Sequence, residues 1–316
     1  MKKHRKIRLL IFLFSGCLIA GLFAVEFYLR FYWGFCDAVL MRPDDDYEYI
    51  AQPNQKRFRF RKHIFYNSHS MRGGELRPGS LRILCVGDSV LNGGTLTDQG
   101  ELATEILSQR VSAQTGKDVQ VLNVSAGSWG PDNCAAYLRK HGLFDARLLI
   151  LITSSHDAHD VMNFMPVVGI LKYYPEKQYP LALFELYDRY LCPQSALFQH
   201  PGNKIGQDFR TEHHIEHSSD DFNPGFQQLM ELAQQYNIPW VIYLHAEKQE
   251  LAARRYNDYG QEIIAFARKN QIPLICDLES GLDETWFRDP VHYNAKGQQK
   301  MAELLQNVLK KHFVFP

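Results

Sequence analysis

LRILCVGDSVLNG, residues 81–93, is an apolar run closed by a glycine and followed at once by a turn-forming Asp-Ser pair. Such a run, short and bounded by a turn, has the form of a buried strand. A helical pattern follows over about 99–113. The same rhythm recurs downstream. VQVLNV at 119–124 is a second strand, and after a Gly- and Ser-rich loop a helix starts near Pro131, a residue favoured at the first helical position. LLILIT at 148–153 is a third strand, apolar throughout. WVIYL at 240–244 and PLIC at 273–276 complete the set, with helices at about 224–237, 252–269 and 295–311. Apolar strands alternating with amphipathic helices predict a mainly parallel five-stranded sheet covered on both faces. Right-handed crossovers leave a three-layer α/β/α sandwich as the simplest arrangement.

The chain has 316 residues, 45% of them apolar, enough for one large core or two modest ones. Lys plus Arg (35) balances Asp plus Glu (35), so the cation surplus that non-specific nucleic-acid binding requires is missing. Six cysteines are too few for a disulfide scaffold, and no CxxC or Cys/His spacing suggests structural zinc. Cys85 and Cys276 sit in strand-like runs, where a small buried thiol is expected.

The N-terminus carries an address. Lys2, Lys3, Arg5, Lys6 and Arg8 precede LLIFLFSGCLIAGLFAV, an uncharged run of 17 residues at 9–25. That length reaches the lower limit for a spanning helix. FYLRFYWGF follows at 27–35, with Tyr28, Tyr32 and Trp33 suited to the headgroup belt, and Glu26 spaced to pair with Arg30. No small-x-small cleavage site follows, and a lipobox at Cys17 is only loosely matched, so residues 1–36 read as a signal anchor. The positive-inside rule then puts the remainder outside the cytoplasm, in a bacterial periplasm. Residues 37–80 read as a turn-rich linker with one half-exposed strand at Arg57-Phe58-Arg59-Phe60-Arg61, its aromatics to one side. The catalytic part spans 81–316. It is interrupted at about 158–222 by a segment too long for a plain loop, and so expected to be a cap or insertion near the site.

In an open α/β sheet, ligands bind outside the carboxyl ends of the strands. Three segments leave predicted strand ends with reactive residues. Asp88-Ser89 presents a hydroxyl on a tight turn beside backbone N–H groups, although a plain turn or helix cap has the same composition. Asn123 to Gly127 combines an amide that can hold a loop with a glycine whose N–H can approach a substrate. Asp289 and His292, three residues apart, can meet so that the carboxylate fixes the imidazole tautomer. A nucleophile, an oxyanion donor and an oriented base thus leave one sheet in sequence order.

With these blocks in place the sequence resembles the SGNH hydrolase superfamily, the GDSL esterases, over about 80–310. Gly87-Asp88-Ser89 with Gly93 matches the first block, Asn123 and Gly127 the second, and Asp289 and His292 the last, with Asn294 and Gly297 after them. The resemblance implies Ser89 as nucleophile, Asp289 and His292 as its partners, and Ser89 and Gly127 as oxyanion donors. Asp88 and Asn123 would support the site. The third block departs from the pattern. Where the family places Gly-x-Asn-Asp, this chain has Ser154-Ser155-His156-Asp157, so His156 stands at the position of the third oxyanion donor and Asp157 beside it. An imidazole N–H can replace an amide there.

His156, Asp157, His159 and Asp160, and separately Glu212, His213, His214, Glu216 and His217, are metal ligands by type. The second group lies in a polar stretch and reads as a solvated face. Serine hydrolysis by this route needs neither metal nor cofactor. The expectation is therefore a membrane-anchored serine esterase acting on a small-molecule or polysaccharide ester, with O-acetyl groups of cell-envelope carbohydrate foremost. The same triad also serves an O-acyltransferase, and the membrane anchor keeps lipid esters in view. A non-catalytic carbohydrate-binding protein is the competing class, favoured by His156 and opposed by the intact Ser89, Gly127, Asp289 and His292.

Overall fold

A computed structural model describes residues 2–191 and 219–312. The chain opens with helix α1 (Lys2–Trp33), of which His4–Trp33 is long and apolar enough to cross a membrane. Two antiparallel hairpins follow, β1 (Met41–Asp44) with β2 (Glu48–Ala51) and β3 (Gln55–Arg59) with β4 (Lys62–Tyr66). The strand–helix alternation then runs β5 (Leu81–Gly87), the short α2 (Ser89–Asn92), α3 (Ala103–Thr115), β6 (Val119–Ser125), α4 (Pro131–His141) and β7 (Leu148–Ser154). After α5 (Ala182–Leu186) come α6 (Gly225–Gln235), β8 (Trp240–His245), α7 (Lys248–Ala253), α8 (Asp258–Lys269), β9 (Leu274–Cys276) and α9 (Ala295–His312).

The five central strands form one parallel sheet in the order β6-β5-β7-β8-β9. Every residue of β6, β7 and β8 is buried, which is why β7 and most of β8 read as continuous apolar runs rather than alternating ones, while β6 also buries Gln120, Asn123 and Ser125. Helix α3 packs on α9 and α4 on α6, giving the helical layers of the predicted sandwich. The chain crosses from β6 over β5 to β7, so strand order reverses at β5. In a doubly wound sheet the crevice at that reversal is where ligands bind.

Residues 37–80 are a structural layer rather than a linker. Tyr47, Tyr49, Ile50, Ile64 and Met71 are buried in the main core. Arg72 is buried too, donating to the carbonyls of Asn92 at the end of α2 and of Gly94 and Thr97 in the loop after it. The Arg57–Arg61 reading also needs correction, because the buried side chain of that strand is Arg59 and both phenylalanines stay partly exposed. Arg59 can be buried because Glu185 lies 2.6 Å from it. The described part of the insertion folds along hairpin β1–β2, where Glu48 accepts from the N–H groups of Asn163 and Phe164, and ends against α1.

Candidate active site

Strand β5 ends at Gly87, where a side chain would meet the Ile152 carbonyl oxygen at 2.5 Å, so only glycine lets β5 and β7 run this close before the turn. Asp88 then caps α2, its carboxylate accepting from the Val90 N–H at 2.8 Å. Ser89 is thereby fixed at the first position of a one-turn helix. The turn ends at Gly93, whose φ of 73° lies in the left-handed region that favours glycine.

His292 comes from the loop before α9, and its Nε2 lies 2.8 Å from Ser89 Oγ. Its Nδ1 lies 2.9 Å from both carboxylate oxygens of Asp289. Burial would raise the Asp289 pKa, but the hydrogen bond and charge of His292 and the backbone N–H groups of His292 and Val291 prevail. They hold it well below the ordinary carboxylate range. Ser89, His292 and Asp289 thus form one hydrogen-bonded chain built from two loops about 200 residues apart in sequence. Nδ1 faces a carboxylate and therefore carries the proton, so the Nε2 lone pair is directed at the hydroxyl, as a general base requires.

The second predicted block packs against this turn. Asn123 is buried and donates to the Leu91 carbonyl at 3.1 Å, so its amide ties β6 to α2. Asn92 answers from the other side, donating to the Ser125 carbonyl at 3.1 Å. Gly127 lies in the loop after β6, with its carbonyl accepting from Tyr49 Oη at 2.9 Å. A side chain at Gly127 would meet only Tyr174 Oη at 3.7 Å, an ordinary contact, so space alone does not demand glycine there.

The third block forms a charged cluster behind Asp88. His156 Nδ1 lies 2.9 Å from Glu247, and Nε2 lies 3.3 Å from Asp157 and 3.9 Å from Asp88. Burial alone would discharge the ring, but the charges of Asp157, Glu247 and Asp88 and the bond to Glu247 outweigh it, raising its pKa to about 10. His156 is therefore an imidazolium with both ring nitrogens turned to carboxylates. Asp157 also accepts from Thr153 Oγ1 at 2.8 Å and the Ser154 N–H at 2.7 Å. Burial and the neighbouring charge of Asp157 push Asp88 up to about 6.

Of the sequence-predicted metal ligands, His156 and Asp157 come together with Asp88, which was not among them, and the three offer ligand atoms within 4.8 Å of one another. The protonated ring of His156 already supplies the positive charge in that group. His159 turns away, to Glu262 and the Ser219 carbonyl. Glu212, His213, His214, Glu216 and His217 lie outside the described residues.

Three positioning groups escaped the sequence reading. Arg288 joins Asp289 to the Gly93 carbonyl, at 3.2 and 3.0 Å. Gln298 on α9 donates to the Val90 carbonyl and accepts from the Ala103 N–H, clamping the Ser89 turn. Behind the loop that carries Asp289 and His292, His245 at the end of β8 lies 2.9 Å from Asp277 through Nδ1 and 2.7 Å from the Val291 carbonyl through Nε2. Asp277 also accepts hydrogen bonds from Tyr243, Tyr256 and Tyr293. Burial opposes charge on His245, yet the Asp277 carboxylate and the two hydrogen bonds raise its pKa above the ordinary value. A signal was present: the last two strands each run directly into a titratable residue, His245 and Asp277.

No protein-family model and no curated protein matches the sequence. Among solved structures, the chain resembles a member of the lipolytic protein G-D-S-L family from Veillonella parvula, at 13% identity and a TM-score of 0.41. The match covers 73% of this chain and 100% of that one. It resembles a lipase/acylhydrolase from Enterococcus faecalis at 13% identity and a TM-score of 0.43, over 73% of this chain and 96% of that one. An acetyl xylan esterase from Geobacillus stearothermophilus resembles it at 13% identity and a TM-score of 0.42, over 75% and 99% of the two chains.

Proposed function

We propose that this chain is a membrane-anchored serine esterase of the SGNH type that cleaves acyl esters, foremost O-acetyl groups on cell-envelope carbohydrate. The observation that carries the reading is the 2.8 Å approach of His292 Nε2 to Ser89 Oγ, with Asp289 on the opposite ring nitrogen. In the first half-reaction the Ser89 proton passes to His292 Nε2 as Oγ attacks the ester carbonyl. The tetrahedral oxyanion is held by the N–H groups of Ser89 and Gly127, and His292 returns the proton to the departing alkoxide. Water then enters, gives a proton to His292 and attacks the acyl-enzyme, and His292 returns that proton to Ser89 Oγ as the carboxylic acid departs. The cationic His156 adds positive charge close to the turn that holds Ser89.

The carbohydrate class follows from the resemblance of the sequence blocks joined to an N-terminal helix whose basic flank keeps residues 1–8 in the cytoplasm. The full chain in detergent should react with a fluorophosphonate probe at Ser89 and hydrolyse a chromogenic acetyl ester, and Ser89→Ala should lose both. An unreactive wild-type chain, or a Ser89→Ala chain that still turns over the ester, would overturn the reading.

A further inference from the structure

Residues 181–191 are built inside out for a segment in water. Ala182, Glu185 and Arg189 face inward, and the pair Glu185–Arg189 is buried with Arg59 as a charged triad, at 3.0 and 2.6 Å. Facing outward at helical spacing are Leu181 (54% exposed), Phe184 (49%), Tyr187 (49%) and Leu191 (67%). A strip with its charges inside and its large apolar groups outside costs free energy against water and gains it against an apolar medium.

The attachment of this strip identifies the medium. Glu26 on α1 accepts from the N–H groups of Ala182 and Leu183 at 2.7 and 2.9 Å, capping α5. Arg30 donates to the Pro180 carbonyl at 2.8 Å, and Cys36 N–H donates to Glu185 at 2.6 Å. Glu26 stands immediately after the apolar run at 9–25. From Leu9 to Glu26 a helix rises about 26 Å at about 1.5 Å per residue, close to the roughly 30 Å of a hydrocarbon core. Groups bonded to Glu26 and Arg30 therefore sit at headgroup depth. The exposed Phe27, Tyr28, Phe31 and Tyr32 of α1 occupy the same level.

We infer that residues 181–191 form a second, interfacial membrane contact, lying in the headgroup layer of the bilayer that α1 crosses with Leu181, Phe184, Tyr187 and Leu191 turned toward the acyl chains. The inference rests on the proposed anchor. Two attachments made from one rigid junction hold the catalytic domain at a set height and tilt, where a single helix would leave it to swivel.

The full chain is reconstituted in nanodiscs of phosphatidylcholine and phosphatidylglycerol that carry a trace of phosphatidylcholine with a chain-terminal diazirine. After irradiation, lipid adducts are mapped by mass spectrometry. Adducts on 181–191 should exceed those on the sandwich helices 225–235 and 258–269 by at least about tenfold, because only an interfacial strip meets acyl chains. Adducts on α1 with 181–191 at the level of the sandwich helices would overturn the inference and leave the anchor standing. Adducts on neither would overturn both.

Discussion

Two aspartate–histidine pairs lie back to back in this molecule, one buried and one partly exposed, and they differ in what the far nitrogen meets. Asp289 and His292 present Nε2 to a hydroxyl, while Asp277 and His245 present it to the Val291 carbonyl. A carbonyl oxygen can only accept, so His245 Nε2 must carry a proton, and Asp277 stabilises a second proton on Nδ1. That ring is held as a cation and has no lone pair to offer a substrate. His292, with a hydroxyl opposite, keeps its lone pair and can take a proton. The same two residue types become a base or a brace according to one neighbouring atom. The brace grips Val291, the residue beside His292.

The largest effects should come from the pair that faces the hydroxyl. Ser89→Ala and His292→Ala should each lower kcat on an acetyl ester by roughly 10⁴–10⁶-fold, and the double variant should be no worse than either single one. Additive losses would mean that the two do not act as a unit. Asp289→Asn should cost less, roughly 10²–10⁴-fold, because an amide can still hold the ring in place but its N–H donates to Nδ1 and favours the tautomer with the proton on Nε2. Since Asp289 is held below the ordinary carboxylate range, its own protonation should not contribute to the acid limb of kcat/KM. A second protonation in that limb would place Asp289 in the proton traffic.

The brace should behave differently under the same measurements. His245→Gln should lower kcat by roughly 10–100-fold through a displaced catalytic loop and leave the acid limb of kcat/KM where it was. A shifted limb would show that His245 shares the base's duty and would collapse the distinction between the pairs. Stability supplies an independent readout. The His245 pKa is raised in the folded chain, so its contribution is complete below the unfolded value of about 6.5 and is lost as pH rises through the folded value. The gap in thermal unfolding between wild type and His245→Gln should therefore be widest in mild acid and narrow as pH rises.

The same contrast explains how much could be read from the sequence. The runs at 81–86, 119–124 and 148–153 appear as strands extended by one residue each, because strands covered on both faces are built mostly from apolar residues. Ser89, Asp289 and His292 were legible because each pair of partners is either local in sequence or set by strand order. Hairpins β1–β2 and β3–β4 and the segment after them were not, since their burial depends on partners far away: Arg59 on Glu185, and Arg72 on the carbonyls of Asn92 and Thr97. Read alone, such arginines look like surface residues. His245 and Asp277 were visible as residues at strand ends, but their pairing depends on β8 lying beside β9, which no short motif encodes.

His156 faces carboxylates through both ring nitrogens, and it tests whether the rule of the far nitrogen extends beyond the two pairs. If its role in the resemblance held unchanged, one N–H would point at the oxyanion, His156→Asn would keep most of the activity, and His156→Ala would lose roughly 10²–10³ in kcat. The geometry argues otherwise, because Nδ1 is engaged by Glu247 and Nε2 faces Asp157 and Asp88. A ring so placed acts through its charge, which three carboxylates largely offset, and an amide cannot supply that charge. His156→Asn and His156→Ala should then fall alike, by about tenfold in kcat with little change in KM, an effect smaller than the loss of a direct donor. The charge gives a second handle. With a folded pKa raised to about 10, the wild-type ring should lose its proton as pH rises toward that value, and both variants should lack the resulting alkaline decline in kcat. Retention of activity by His156→Asn alone would restore the ring as a hydrogen-bond donor and break the rule drawn from the other two histidines.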